Sequence, residues 1–424
     1  MRSKVLVIAG LCFMSGLLFG SGFGLFEHGA KATGMAGAFT AQADDPSALF
    51  YNPAGIAFQK RSLYMGTTAI LPSADFDGVG PYPGYGVSES MPDQKFFPSN
   101  GTIVYPLNDR WTFAVGSYNP FGLGTRWEDP SQFTGRYIST LAAIRAGKVQ
   151  PTIAYKPQDN FSIAFGISYF GAKVSLEQYV PSINPYTQMI TNVGHVRMDG
   201  GMDTGIGYDF GLLYKFNSNW SFGFSYHSAI DIDFDGTAKF TQIPTGFADF
   251  DAIVSQAIPW GKHDAATSIE FPAVASIGLA TTAIDRWTFE VDVNYAGWSS
   301  FDQLALEITD DPELGTVRVS DWEDVYNYRF GFEFRPNDAL AWRGGIVYDE
   351  SPQPLWDVGP VLPDSNRTGY CAGFGYTSGS FIFDLGYMYL TFDESDTAGV
   401  SQDQYYGTFS SSAHLLGVAF TYSF

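Results

Sequence analysis

Arg126, Arg136, Arg145 and Lys148 lie close together in a chain that has only 23 Lys plus Arg against 44 Asp plus Glu. In a desolvated pocket a guanidinium or ammonium group takes a carboxylate through charge-assisted hydrogen bonds. These four residues are therefore the candidates for holding the anionic end of a ligand. Their alternative role is to pair with acidic neighbours such as Glu128 and Asp129. Catalysis finds less support, because a nucleophile needs an adjacent base and a group to orient it. None of His28, His195, His227, His263 and His414 stands in a recognisable motif with Ser and Asp or Asn. No HExxH pair, His/Cys cluster or Gly-rich phosphate loop is present, so the sequence implies neither an enzyme nor a metal or other cofactor. A second group is apolar: Phe247, Phe250, Ile253, Val254, Ile258 and Trp260, within the stretch 231–267. Their spacing predicts a short helix over 249–258. On an outer loop such a patch would suit first capture of a hydrophobic ligand; the alternative is a loop core packed on itself.

The elements that must position these residues are strands. From about residue 62 the chain alternates with period two. Phe161, Ile163, Phe165, Ile167 and Tyr169 alternate with Ser162, Ala164, Gly166 and Ser168, and Trp287, Phe289, Val291, Val293 and Tyr295 with Thr288, Glu290, Asp292 and Asn294. The apolar face is large and aromatic, while the other is small, polar or charged and includes Arg329, Glu333, Arg343 and Asp384. A soluble sandwich would keep its rings inside. A transmembrane barrel reverses this, with rings toward lipid and polar groups toward the lumen. Composition agrees: 17 % aromatic against 16 % charged residues is a poor surface for a soluble protein. Mean hydropathy is −0.04, and past residue 20 no apolar run is long enough for a membrane helix. A net charge of −21 argues against a nucleic-acid partner.

Connections of two kinds alternate. Tight turns fall at 106–109, 156–160, 216–219, 283–286, 335–338 and 377–380, with Asn, Asp and Gly supplying the geometry. Long loops fall at about 72–95, 119–141, 175–204, 231–267, 300–321, 350–365 and 392–410. Six turns and seven loops connect fourteen antiparallel strands, with both termini on the periplasmic side. Trp111, Phe161, Trp220 and Trp287 leave the turns at one depth, as an interfacial girdle requires. The chain closes on Leu416, Val418, Phe420, Tyr422 and Phe424, a final strand ending in Phe. Residues 1–21 read as a signal peptide: a basic start at Arg2 and Lys4, an apolar stretch from Val5 to Phe19, then small residues. Its removal takes Cys12 and leaves Cys371 as the one cysteine, which excludes an internal disulfide.

Residues 22–61 do not alternate. They are rich in small residues and carry Leu25, Phe39, Phe50 and Ile56, which need burial, so the expectation is a hatch folded up into the lumen, with the barrel at 62–424. Here the sequence resembles the FadL family of outer-membrane fatty-acid and hydrocarbon transporters. The resemblance rests on Gly22-Phe23, the Gly-rich stretch Gly34-Met35-Ala36-Gly37, Asp44-Asp45-Pro46-Ser47-Ala48 and Asn52-Pro53-Ala54. It continues through Pro120-Phe121-Gly122-Leu123-Gly124-Thr125, Gly135-Arg136-Tyr137, Trp342-Arg343-Gly344-Gly345 and Leu362-Pro363-Asp364-Ser365-Asn366-Arg367. It covers nearly the whole chain, except that the loops 175–204 and 231–267 match nothing.

The resemblance implies passive uptake into the periplasm of hydrophobic compounds, long-chain fatty acids foremost. Ligand would be caught by external loops, passed to an internal pocket and released sideways through the wall into the membrane. Arg136 stands out among the cations because it sits in the matched Gly-Arg-Tyr. A kink near the third strand marks the opening in the family; Gly116, Asn119 and Pro120 are its candidates here, since Gly and Pro break strand pairing. The Asn52, Pro53 and Ala54 motif should fix a turn in the hatch, with lumen charges such as Arg329, Glu333 and Arg343 anchoring it. The partners implied are a hydrophobic small molecule and outer-membrane lipid, with the protein a monomer. The alternatives are an aromatic or alkane hydrocarbon channel of the same fold, an outer-membrane lipase, a hydrophilic porin and a surface-attachment barrel.

Overall fold

The computed structural model describes residues 22–424; the expected signal peptide and Cys12 lie outside the described residues. Fourteen strands form the wall: β1 Ser62–Gly78, β2 Ser99–Pro106, β3 Trp111–Tyr118, β4 Leu141–Gln158, β5 Phe161–Ile183, β6 Asp203–Lys215, β7 Trp220–His227, β8 Val274–Thr281, β9 Trp287–Ala296, β10 Val325–Phe334, β11 Leu340–Asp349, β12 Arg367–Ser378, β13 Phe381–Phe392 and β14 Gly407–Ser423. Each pairs antiparallel with the next, and β1 returns to β14 in unbroken register from Ser62↔Ser423 to Gly78↔Gly407. The barrel is thus closed, each strand pairing on both sides over most of its length, the condition for crossing a bilayer with strands.

Period-two alternation decides which side chains meet lipid. Phe165, Ile167 and Tyr169 of β5, Ile277 and Leu279 of β8, and Tyr326, Tyr328 and Phe330 of β10 all point out and are exposed, while Ser162, Ser168, Asp209, Glu290, Asp292, Arg329 and Asp384 point in and are buried. In water such an outer surface would aggregate; in a membrane it is the solvated face. At the turn end the rings stack, Trp111 on Tyr155 at 4.4 Å and Trp287 on Phe334 at 4.7 Å between centroids. Arg61 lies over Tyr105 at 3.9 Å, a cation held at the rim of that belt.

At the other end two stretches expected as loops are ladders. β5 continues to Ile183 and pairs with a strand at Ile190–Gly200, and a hairpin of Ile230–Gln242 with Gly261–Phe271 joins it through Phe240↔Val196. Alternation in these segments is carried by Asp, Thr and Lys as well as apolar residues (Ile230, Ile232 and Phe234 against Asp231, Asp233 and Asp235), which makes it harder to see in sequence. The remaining loops lock together across the mouth. Trp127 stacks on Phe133 at 4.6 Å and donates to the carbonyl of Pro360 at 3.0 Å. Arg318 joins Asp357 and Asp403, each at 2.9 Å.

Candidate functional site

Inside the wall lies the segment from Gly22 to Phe58, in which nearly every residue is buried. It is built of short pieces, helical turns at Ala30–Thr33 and Ala48–Tyr51 and a 3-10 turn at Pro53–Phe58. No single piece is long enough to be stable alone, so the contacts with the barrel set its shape. Asp292 of β9 accepts the N–H groups of Phe39 and Thr40 at 2.8 and 2.9 Å, and Glu290 those of Ala41 and Gln42 at 2.5 and 2.9 Å. Arg329 donates to the carbonyl of Ala36 at 2.9 Å. Lys31 reaches Asp44 at 2.6 Å and Glu333 at 3.6 Å, while Arg343 ties Glu333 to Asp384. Burial works against the Lys31 charge, but Asp44 and Glu333 outweigh it and hold the amine above the usual lysine value. Asn52 donates to the carbonyls of Thr40 at 2.7 Å and Leu212 at 2.9 Å and accepts from Ala54 N–H at 3.1 Å, so its amide bridges two parts of the segment to β6.

Between this segment and the wall is an apolar cavity of about 650 Å³, counting the space open to solvent. Leu25, Phe26, Phe50, Tyr118, Phe121, Phe170, Ile230 and Val274 line it, together with the uncharged polar residues Thr40, Ser276 and Asn294. Beside it Phe23 is enclosed by Phe271, Trp298, Phe301 and Trp322, with centroids 4.5–5.8 Å away. The cavity has one polar end. Lys148 Nζ lies 2.5 Å from Asp209 Oδ1, His227 Nδ1 lies 2.5 Å from the same oxygen, and Ser168 donates to Oδ2. A shallower apolar groove of about 320 Å³ lies among the outer hairpins, lined by Val174, Leu176, Met198, Phe234 and Leu306.

The wall is interrupted next to the cavity. The β2–β3 ladder stops at Gly101↔Ser117. Beyond it Phe96 and Pro98 bond only to β1 in the backbone pairings, and Gly122–Arg126 pairs with β4 alone, one residue out of step with β3 (Tyr118↔Lys148, then Gly122↔Arg145). Alternation fails here: Tyr118, Asn119, Phe121, Gly122 and Leu123 are all buried. Pro120 cannot donate to a ladder, and its carbonyl instead accepts from Leu25 N–H at 2.8 Å, while Gly122 N–H donates to Phe23 O at 2.9 Å. Asn119 spans the step, donating to Ala146 O at 2.8 Å and accepting from Ser99 N–H at 3.2 Å. Gly116 sits one turn of the ladder lower, where an added Cβ would meet Leu49 and Thr102.

The four candidate cations separate. Lys148 alone lines the cavity. Arg145 is exposed on the outer face with Val149, because three positions along a strand reverse the side. Arg126 likewise points out, opposite the buried Thr125. Arg136 stays in the loop, where it donates to Asn192, the Phe133 carbonyl and Tyr137. A carboxylate role thus loses its geometric basis for these three. The helix forms at Ala248–Ala257, with Phe250 and Val254 buried on Val193 and Trp260 and Ile258 packed beside them. Phe247 stacks on Tyr186 at 5.1 Å, leaving Ile253 as the fully outward apolar residue of the six. Most of that patch is a local core, because Trp260 closes it by donating to Val254 O at 3.1 Å. Asp209 lies outside the set of residues that the sequence singles out, although His227 faces it directly in the β6–β7 register. Cys371 is a free thiol.

Comparison with known proteins agrees with this geometry. The family model for outer membrane protein transport proteins (OMPP1/FadL/TodX) matches residues 11–424. A long-chain fatty acid transport protein of Salmonella typhi is 22 % identical over 100 % of this chain and 98 % of its own. A 47 kDa outer membrane protein of Pasteurella multocida is 26 % identical with the same coverage. Among solved structures, a Pseudomonas aeruginosa FadL homologue superposes with a TM-score of 0.82 at 22 % identity, covering 95 % of this chain and 99 % of that one. The Pseudomonas putida toluene transporter TodX gives 0.72 at 17 %, covering 94 % and 99 %. The chain is a Gram-negative outer-membrane β-barrel and belongs to the OMPP1/FadL/TodX family of transporters of hydrophobic compounds.

Proposed function

We propose that this protein carries long-chain fatty acids passively from the cell exterior toward the periplasm. The observation that carries this reading is the apolar cavity beside a break in the wall, with a single amine, Lys148, at its polar end. Removing each CH₂ from water is worth about 0.8 kcal/mol, so a long acyl chain gains on the order of 10 kcal/mol on entering a dry pocket. A ligand of this kind needs an apolar path with gates, and sideways exit spares it from periplasmic water. In the proposed route the ligand is caught at the outer groove and around Ile253, then moves into the cavity with its head at Lys148. It leaves at Gly116, Asn119 and Pro120 when the segment 22–61 shifts as a hatch. Residues 1–21 are the signal peptide in this reading, and no step is enzymatic.

A second reading is supported by the likeness to the toluene transporter TodX: the cavity would take a monoaromatic hydrocarbon and Lys148 would contact nothing. Uptake of labelled oleate and of toluene, with and without the protein in cells with intact outer membranes, separates the two. Protein-dependent oleate entry supports the fatty-acid reading; toluene entry alone replaces it with the second.

A further inference from the structure

Resting on the fatty-acid reading, we propose that the polar end of the cavity is self-neutralised, and that a fatty acid binds there together with one proton, taken by His227. Lys148 is 6 % exposed and Asp209 is fully buried, and the two are in direct contact at 2.5 Å. Their charges cancel. His227 places Nδ1 on the same carboxylate, which favours the tautomer with its proton there and leaves the Nε2 lone pair free. With an uncharged imidazole at His227, the cluster of Lys148, Asp209 and His227 carries no net charge.

A carboxylate brought against Lys148 changes that sum to minus one inside an apolar cavity. An uncompensated buried charge is strongly disfavoured. A proton on His227 restores neutrality, and histidine is the side chain whose charge is readily changed near physiological pH. The other titratable groups around His227 do not serve. From the N-terminal segment, Phe50 packs over the His227 ring, with Tyr51 and His28 behind it. Burial pushes His28 down to about 4, so it stays neutral, and it pushes the Tyr51 phenol up, so it stays protonated. From β3 Tyr118 contributes a buried hydroxyl, and the polar groups that β8 and β9 bring to this cavity are Ser276 and Asn294, neither of which titrates. An alcohol or hydrocarbon of equal chain length needs no proton. The cluster therefore admits a carboxylate only together with a proton.

Calorimetry of submicellar laurate binding to the full-length protein, in two buffers of different ionisation enthalpy at about pH 8.5, counts the protons directly. The expectation is uptake of about one proton with laurate and none with dodecanol. In Asp209→Asn the ammonium of Lys148 is no longer cancelled, so laurate should bind without a proton and, at this pH, about tenfold or more tighter than to the unaltered protein. In His227→Gln the proton uptake should vanish and laurate binding should weaken. Heat-modifiable migration on gels establishes that each variant is a folded barrel. Laurate binding to the unaltered protein with no proton uptake overturns this inference and leaves fatty-acid transport standing. Unchanged proton uptake in Asp209→Asn overturns it as well. Failure of laurate to bind at any pH overturns the fatty-acid reading itself.

Discussion

Glu290 accepts the backbone N–H of Ala41 at 2.5 Å, joining the ninth strand of the wall to the middle of the segment inside it. With Asp292 two residues along on the same face, four consecutive N–H groups, from Phe39 to Gln42, end on two carboxyl groups. Each donor left buried without a partner costs roughly 1–3 kcal/mol. Glu290→Ala should therefore loosen this segment and leave the wall intact. Amide exchange at residues 39–42 should rise about tenfold or more, with exchange in β9 and β10 unchanged. Equal protection in the variant would show that the carboxylates do not hold the segment.

Asn52 is fully buried and makes three hydrogen bonds, two of them as donor to carbonyls of different elements. Alanine leaves those groups unsatisfied, at about 2–4 kcal/mol in all by the usual worth of such bonds. Asn52→Ala should make the segment susceptible to proteolysis in detergent at a temperature where the unaltered protein resists cleavage. Resistance equal to that of the unaltered protein would contradict the assignment.

The close approach of segment and wall requires glycine at position 223, where a Cβ would run into the carbonyl of Thr40 and the Cα of Ala41. Overpacking of this kind typically costs about 1–3 kcal/mol. Gly223→Val should displace the segment and admit small hydrophilic solutes, measured by swelling of proteoliposomes in a sugar solution. No change in swelling would mean that the segment accommodates the side chain in place.

Asp45 gives a pH dependence. Burial pushes its carboxyl up to about 6, although Ser47 donates to Oδ1 through both its N–H at 2.7 Å and its hydroxyl at 2.6 Å. A carboxyl whose folded value exceeds its unfolded one is penalised while ionised. The penalty is full above about pH 6 and disappears as the pH falls below about 4. At pH 8 it amounts to roughly 2–3 kcal/mol as an upper bound. Asp45→Asn keeps the acceptor for Ser47 and removes the charge. It should raise the unfolding temperature at about pH 8 and leave it nearly unchanged near pH 4; stabilisation that is the same at both would contradict this account.

The wall was legible because its alternation is strict and its two faces differ in kind. All six tight turns fall where Asn, Asp and Gly were spaced for them, and the loop helix at Ala248–Ala257 lies one residue from the expected 249–258. The cavity was harder to read. Lys148 and Arg145 belong to one strand, and their odd separation alone puts them on opposite faces, so parity held more information than the clustering of charge. Asp209 and His227 meet through a cross-strand register fixed by the whole ladder, and Lys148 reaches them from another strand. No local pattern encodes that meeting. Arg136 lies in a family motif, yet its guanidinium is used up in folding the loop.

Passage through the break in the wall is tested most directly by closing it. Ser99 and Asn119 touch across the step, through the backbone N–H of one and the side chain of the other. In a Cys371→Ser background, Ser99→Cys with Asn119→Cys offers a pair for a disulfide or, where the sulfur geometry does not close, a short bis-maleimide. Oleate uptake should be lost in the cross-linked protein, and reductant should restore it when the bridge is a disulfide. Uptake that persists with the bridge fully formed would contradict sideways exit at this site.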